Sequence, residues 1–279
     1  MNVAASIADF ETLPRLQRAR GAGRIAVGQI AGRTRLRTLF QEGCAKIRLP
    51  RPTGPAVEAV LINTSGGLTG GDVVEWQAEA QAGSRLSITT QACERIYRSS
   101  GGAAELTTRL RVAASAHIDW LPQETILFGQ SRLERSLDIE LEGDATLTAL
   151  EAVLIGREAM GEAARDACLS DNWRIRRDGR LIHAEATRLT GADIERDASS
   201  LLAGCNAFAT LVSIAPDAEA RLEKLRPFLA TLPHAGASAM GERLVLRFLA
   251  PTGIALRRSL QPAIAALSGA GSVPRLWTI

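Results

Sequence analysis

The sequence is poor in the residues that most often build metal centres and nucleic-acid interfaces. Its three histidines and four cysteines are scattered along the chain: His117, His183, His234, Cys44, Cys93, Cys168 and Cys205. No two cysteines stand at C-x-x-C spacing, so a structural zinc site has no support. Aromatic residues make up 4% of the chain and the net charge is +3, which argues against a protein dedicated to nucleic-acid binding.

Catalytic and membrane signatures are also missing. Neither a Gly-x-Ser-x-Gly nucleophile motif nor a His-Glu-x-x-His zinc motif occurs. No apolar run approaches the roughly 18 residues needed to cross a bilayer. The first 20 residues contain Asp9 and Glu11 and lack the apolar core of a secretory signal. These absences predict a cytoplasmic protein that binds neither nucleic acid nor a membrane.

The most distinctive stretch, residues 63–72, contains four glycines within six residues: Gly66, Gly67, Gly70 and Gly71. A phosphate-binding P-loop would require Lys followed by Ser or Thr after the last glycine, and a helix after that. Here Asp72 follows the last glycine, and a strand-like pattern comes next. We therefore predict a turn between two strands, in which glycine tolerates positive φ, and Asp72 is a candidate turn-capping residue.

Alternating apolar and polar residues predict a mainly β body. In residues 132–142, for example, Leu133 and Leu137 alternate with Glu134 and Asp138. The predicted strands cover residues 24–28, 34–40, 46–50, 57–62, 73–80, 85–91, 105–112, 132–142 and 147–155. Residues 173–186 predict a hairpin that turns at Asp178 and Gly179. Many short strands favour a β-sandwich or β-helical body.

The C-terminal part changes character. Strands are predicted at 206–214 and 242–249, and helices at 217–232 and 252–267, where apolar residues recur at helical spacing. We predict a flexible N-terminal arm at residues 1–23 and one domain at 24–279, made of a β body (24–198) and a strand-helix-strand-helix part (199–279). Residues 15–37 hold seven arginines and no acid. This segment is either a solvated arm or a docking strip for an acidic partner.

Three acidic residues stand out by their position. Glu151 lies inside the apolar strand 147–155, where a carboxylate is costly unless it is paired, hydrated or used. Glu185 follows His183 by two residues and shares its strand face, and Glu162 ends the segment 156–162. Each is either paired with a nearby arginine, such as Arg157, or part of a site. Oxygen-rich, cysteine-poor positions of this kind suit the passage of a cation such as Ni²⁺ but not tight binding.

Five segments in order give the chain a specific resemblance. They are residues 63–72, 89–91 with 95–99, 120–128, 151–162, and 274–277 near the C-terminus. Each is weak alone, but together they span most of residues 20–279. In this order they resemble urease accessory protein D, the UreD family, called UreH in some bacteria.

The resemblance implies a non-enzymatic scaffold for nickel insertion, with transient Ni²⁺ and no tightly bound cofactor. Its partners would be accessory protein F, the GTPase accessory protein G and apo-urease, with the chain dimeric in the accessory complex. Nickel would pass from the GTPase to urease through an internal channel. Residues assigned to this route are Asp72, Glu151, Glu185, Glu124 and Glu162. Interface or structural residues would be Gly66, Gly67, Gly70, Gly71, Gln91, Tyr97, Arg98, Gly156, Arg157, Gly161, Arg275 and Trp277.

Two alternatives stay open at this point. The acidic residues Asp72, Glu151, Glu162 and Glu185 would, in an enzyme of unknown substrate, form a metal or hydrolytic site. A purely structural adaptor would assemble the same partners while nickel travels by another route.

Overall fold

The computed structural model describes residues 17–51, 54–157, 160–190 and 198–278, so the predicted arm lies outside it up to residue 16. Strands dominate, which confirms the mainly β fold class. The strands are β1 (Arg20–Ile30), β2 (Arg33–Gly43), β3 (Ala45–Arg48), β4 (Val57–Asn63), β5 (Val73–Ala80), β6 (Arg85–Thr90), β7 (Glu94–Ile96), β8 (Ala104–Val112), β9 (His117–Trp120), β10 (Thr125–Leu127), β11 (Arg132–Leu141), β12 (Thr146–Ile155), β13 (Cys168–Arg177), β14 (Arg180–Leu189), β15 (Ala207–Ile214), β16 (Ala235–Met240) and β17 (Arg243–Ala250).

The strands form two sheets between which the chain coils. One sheet has seven strands in the order β14-β13-β11-β8-β5-β1-β2, and the other has ten, including β16-β17-β15-β12-β9-β6-β4-β3. From β4 to β13 the longer strands alternate between the sheets, and neighbours within each sheet are parallel. This alternation gives a β-solenoid-like body, in which each turn of the coil supplies one strand to each sheet.

Antiparallel pairs close the ends of the coil. Strands β13 and β14 form the predicted hairpin, and Asp178 and Gly179 at its tip have φ of 49° and 76°. Positive φ at both central residues is the geometry of a type I′ turn, which explains the Asp-Gly pair. Strands β15, β17 and β16 extend the second sheet beyond β12.

Two helices cover the outer face of the second sheet. They are α1 (Ala218–Leu229) and α2 (Gly253–Leu267), and the Thr252 hydroxyl caps α2 by accepting a hydrogen bond from the Ala255 amide at 3.1 Å. Both helices pack with Leu150 and Ala152 of β12 in one apolar cluster. Ala149 and Val153 belong to the core between the sheets instead. Both faces of β12 are therefore buried, which explains its nearly continuous apolar run.

Several boundaries differ from the prediction. Strand β1 begins at Arg20 and not at the predicted residue 24, because Gly21 and Gly23 let the strand pack tightly. A Cβ on Gly23 would lie 2.3 Å from the Trp76 ring. Helix α1 ends at Leu229, since the amides of Thr231 and Leu232 donate to carbonyls three residues back rather than four. Strand β16 was not predicted because its small residues give no alternation of bulk.

Among the described residues, neither helix combines the length and the apolar character that crossing a membrane requires.

Candidate functional site

The most unusual feature of the core is an ionic cluster between the two sheets. Arg135 of β11 donates to Asp171 of β13 from Nε and Nη2, at 3.1 and 2.6 Å. Its Nη1 donates to Glu151 of β12 in the facing sheet and to Thr125 Oγ1 at 3.1 Å. Trp120 Nε1 donates to Glu151 Oε1 at 2.9 Å. We call Arg135, Glu151 and Asp171 the inter-sheet cluster.

The alternation of each strand places these three side chains in the core. Arg135 lies two residues after Leu133 and two before Leu137, and all three are buried. Asp171 of β13 likewise lies two residues after a buried leucine, Leu169. Sequence reasoning singled out Glu151 but missed Arg135 and Asp171, although period-two alternation places both on the inward face of their strands.

The inter-sheet cluster holds two carboxylates and one guanidinium, all of them 4–6% exposed. Its net charge is −1 when both carboxylates are ionised. Burial raises the pKa of Glu151 to about 7, with the nearby Asp171 charge acting in the same direction and Arg135 opposing it. The two carboxylates raise the pKa of Arg135, so the guanidinium stays charged. The cluster is thus suited to take up one proton or one passing cation near neutral pH.

The glycine-rich stretch forms the predicted turn, and Asp72 closes it. The Asp72 carboxylate accepts from the Ala19 and Thr69 amides, each at 2.8 Å. Gly66 and Gly71 have φ of 80° and 87°. Neighbouring Gly67 has φ of 147°, and a Cβ on Gly70 would come within 2.3 Å of the Gly101 carbonyl oxygen. This is the geometry of a turn-capping aspartate.

Tyr97 lies against this turn. Its hydroxyl donates to the Gly66 carbonyl at 3.1 Å, and its ring meets Phe128 edge-on, with centroids 5.0 Å apart. The Arg157 guanidinium covers the Phe128 ring at 4.4 Å and pairs with Glu162, with Nε and Oε2 2.6 Å apart. Glu162 is therefore paired with Arg157, one of the two possibilities left open by the sequence.

The turns around Glu162 depend on glycine. Gly156 and Gly161 have φ of 83° and 68°, and a Cβ on Gly156 would lie 2.0 Å from the Glu162 carbonyl oxygen. Three other motif residues, Gln91, Arg98 and Arg275, are exposed at the surface.

The buried Glu124 forms an ion pair with the half-buried Arg257, close to the C-terminal segment. It accepts from Arg257 of α2 at 3.0 and 2.6 Å, and the Cys93 thiol lies 3.4 Å from its Oε2. Burial raises the pKa of Cys93 to about 12, so the thiol stays protonated and donates to the carboxylate. Arg257 also lies over the ring of Trp277, 5.2 Å from its centroid.

Glu185 lies on the hairpin strand β14 and pairs with Arg247 of β17 at 3.0 and 2.7 Å. His183 Nε2 is 3.8 Å from Glu185 Oε2, which fits their predicted common face. Burial lowers the pKa of His183, so the ring is neutral at physiological pH. Within the described residues, the five acids assigned to the route share no hydrogen-bond or ion-pair partner.

Another carboxylate, the half-buried Glu94, was not singled out from the sequence. It lines a cavity of about 130 Å³ together with Trp76, Gln91 and Cys93, and accepts from Asn63 Nδ2 at 3.1 Å. Burial raises its pKa to about 7 despite this hydrogen bond.

Glu94 should make stability fall as pH rises. Its folded pKa lies above the value of about 4.3 for an unfolded glutamate, so the folded state binds the extra proton between these values. Glu94→Gln removes this dependence. Relative to the parent chain, the variant should therefore gain stability between about pH 5 and pH 8. Urea denaturation at several pH values measures the difference, with exposed Glu105→Gln as the control. A difference that does not change with pH would contradict the assignment.

The fold and the site define the class of protein: a β-solenoid-like scaffold that buries an ionic cluster between its sheets. In the described part of the chain, no three His, Cys, Asp or Glu side chains are grouped so that they could hold a metal ion. The family model of the UreD urease accessory protein matches residues 19–278. The chain belongs to this family.

Relatives named urease accessory protein UreD align with almost the whole chain. The protein of Chelativorans sp. (strain BNC1) is 65% identical over 264 residues, which cover 95% of each chain. That of Rhizobium leguminosarum bv. viciae is 50% identical, covering 95% of this chain and 97% of the relative. That of Agrobacterium fabrum (strain C58 / ATCC 33970) is 48% identical, covering 99% and 97%. The resemblance found in the five sequence segments is thereby confirmed.

Proposed function

We propose that this protein is a non-enzymatic scaffold through which nickel passes from the accessory GTPase to apo-urease. In this proposal it binds accessory protein F, which recruits the GTPase, and it acts as a dimer within the accessory complex. Membership of the UreD family supports a role in urease maturation. The observation that supports the nickel route is the inter-sheet cluster, which places two carboxylates and one guanidinium inside the protein, with a net charge of −1 when both carboxylates are ionised.

A conduit must attract a cation and then release it. Glu151 suits this role because its pKa of about 7 leaves its charge in balance between a proton and another cation. Arg135 limits the attraction by neutralising one of the two carboxylates. Two carboxylate oxygens of Glu151, without histidine or thiolate, would hold Ni²⁺ only weakly.

The other assigned acids are proposed as secondary contacts. Glu124, Glu162 and Glu185 are each bound to an arginine, and Asp72 is bound by two backbone amides. A nickel ion would have to displace or share these partners. At Glu151 it would likewise share the carboxylate with Arg135 and Trp120, but there two carboxylates face a single guanidinium. Glu151 is therefore the residue on which the proposal depends most.

Glu151→Gln tests the route with little change in shape. The variant keeps the Arg135–Asp171 pair but removes the net negative charge. We therefore expect the rate of nickel loading into urease to fall about tenfold, which corresponds to the free energy of about one charged hydrogen bond. Nickel content and urease activity are measured after activation with the full set of accessory proteins. Glu134→Gln is the matched control, because Glu134 is exposed on the opposite face of β11.

Co-purification with accessory protein F and urease separates the outcomes. Normal complex formation with reduced loading supports the conduit. Normal complex formation with normal loading would contradict the role of Glu151 and favour a purely structural adaptor.

A further inference from the structure

The seven-stranded sheet ends in a long strand with one side unpaired. Strand β2 pairs with β1 from Arg33 to Gly43, with a bulge at Arg37, and is the last strand in the sheet order. No other described strand pairs with β2, so its outer backbone N–H and C=O groups are open to another chain. Proteins usually blunt or cover such edges, and an eleven-residue open edge is long enough to bind an added strand.

We propose that the β2 edge is a docking site for an acidic, extended segment of a partner protein, which adds to the sheet as a further strand. This proposal does not rest on the nickel route. It decides between the two possibilities for the arginine-rich segment, since the part of that segment from Arg20 onward is built into the sheet and is not a solvated arm.

Apolar side chains are concentrated at this edge. Of the eleven large hydrophobic residues that are exposed in the described chain, four lie between residues 30 and 40. They are Ile30, Leu36, Leu39 and Phe40, which are 38–44% exposed. Leu39 and Phe40 are consecutive and lie on opposite faces of β2, so exposed apolar side chains on both faces of the edge could contact an added strand.

The charge of the edge indicates the sign of the partner. Arg33 and Arg35 are exposed at alternate positions of β2 and Arg37 is exposed at its bulge, and none of the three forms an ion pair with any described residue. Arg33 and Arg35 line a cavity of about 590 Å³ together with Arg85, and no carboxylate is among its lining residues in the described chain. An acidic strand would give these arginines their missing partners.

The same charges argue against a second copy of this chain as the occupant. Pairing of two β2 edges would place two arginine rows side by side, and like charges across a strand pair are destabilising. The partner is thus expected to carry acids at alternate positions, so that they meet the arginines while the intervening residues are apolar.

A labelled nonapeptide of alternating Glu and Val is the probe, and its binding to the full chain is measured by fluorescence anisotropy. We expect binding accompanied by slower amide hydrogen exchange in Arg33–Gly43. The triple variant Arg33→Glu/Arg35→Glu/Arg37→Glu should bind at least about tenfold more weakly. The charge-matched control replaces three other exposed arginines by Glu: Arg188, Arg226 and Arg258. This control should bind as the parent chain does.

Four further probes distinguish strand addition from simple anion binding. A Lys-Val nonapeptide should not bind, and a nonaglutamate, single-stranded DNA and phosphatidylserine vesicles should leave the amide exchange of β2 unchanged. Equal binding of any of these with equal protection of β2 would overturn the proposal. So would no binding of the Glu-Val peptide, or protection confined to other strands. If the triple variant does not fold, two measurements replace it. The single variant Arg35→Gln should bind the Glu-Val peptide more weakly than the parent chain does, and the peptide should slow amide exchange in Arg33–Gly43 of the parent chain.

Discussion

Arg135→Met is expected to lower the free energy of unfolding by about 3–5 kcal/mol, as is usual when one partner of a buried ion pair is removed. The substitution leaves Glu151 and Asp171 buried without a cation between them. Burial raises the pKa of Glu151 to about 7, so protonation of Glu151 relieves part of this cost and the loss should be smaller near pH 5 than near pH 8. Urea denaturation at both pH values measures it.

Arg132→Met is the control for this variant, since Arg132 lies on the same strand but is exposed. Its effect should stay within about 0.5 kcal/mol. A further variant, Arg135→Met/Glu151→Leu/Asp171→Leu, replaces the whole inter-sheet cluster by apolar side chains and should recover most of the lost stability. Nickel loading by this stable variant then tests the route without the confusion of unfolding. An Arg135→Met protein as stable as its parent would show that the cluster contributes nothing to the fold.

Trp277→Ala should cost about 3–5 kcal/mol of stability, the range for truncating a large aromatic side chain in a core. Trp277 is fully buried, and its Nε1 donates to the Leu121 carbonyl at 3.0 Å. Its ring also supports Arg257, which holds Glu124. The loss therefore has three sources: the cavity left by the ring, the Leu121 carbonyl without its donor, and a weaker ion pair between Arg257 and Glu124. Thermal and urea unfolding of the purified chain measure the change.

Arg275→Ala is the matched control for the C-terminal segment, because Arg275 is exposed two residues before Trp277. We expect its effect to stay within about 0.5 kcal/mol. Similar losses for both variants would mean that the segment acts through its surface and not through the buried indole. Trp277→Phe, which keeps most of the bulk but loses the hydrogen bond, should lie between the two.

Local patterns predicted the strands and helices well but not their neighbours. Alternation located β5, β8 and β11, because each buries one face. Alternation does not show which strands pair with each other. In the coil, strands that pair within one sheet are far apart in sequence. The predicted start of the first strand at residue 24 was too late, because a glycine in a strand also permits close packing.

The candidate site was predictable in part. Glu151 was found because it interrupts an apolar run. Arg135 and Asp171 fell on core positions of their strands, and a search for charged residues at buried registers would have found them. Glu94 could not be found this way, since its burial depends on how Asn63 and Trp76 enclose it. That arrangement is tertiary and leaves no local pattern.

The coil also sets the order in which the protein can assemble during synthesis. Each strand of the coil pairs with a strand of the same sheet, and between these two strands the chain forms a strand of the other sheet. A newly made strand thus finds its place beside one made earlier, and we expect folding to advance from the N-terminal side as the chain leaves the ribosome. Arg135 and Glu151, which link the two sheets, emerge before Asp171, so this link can form once β12 has been made, and β13 then adds Asp171 beside Arg135. Until then the open sheet edge is a surface that a chaperone or a partner can reach.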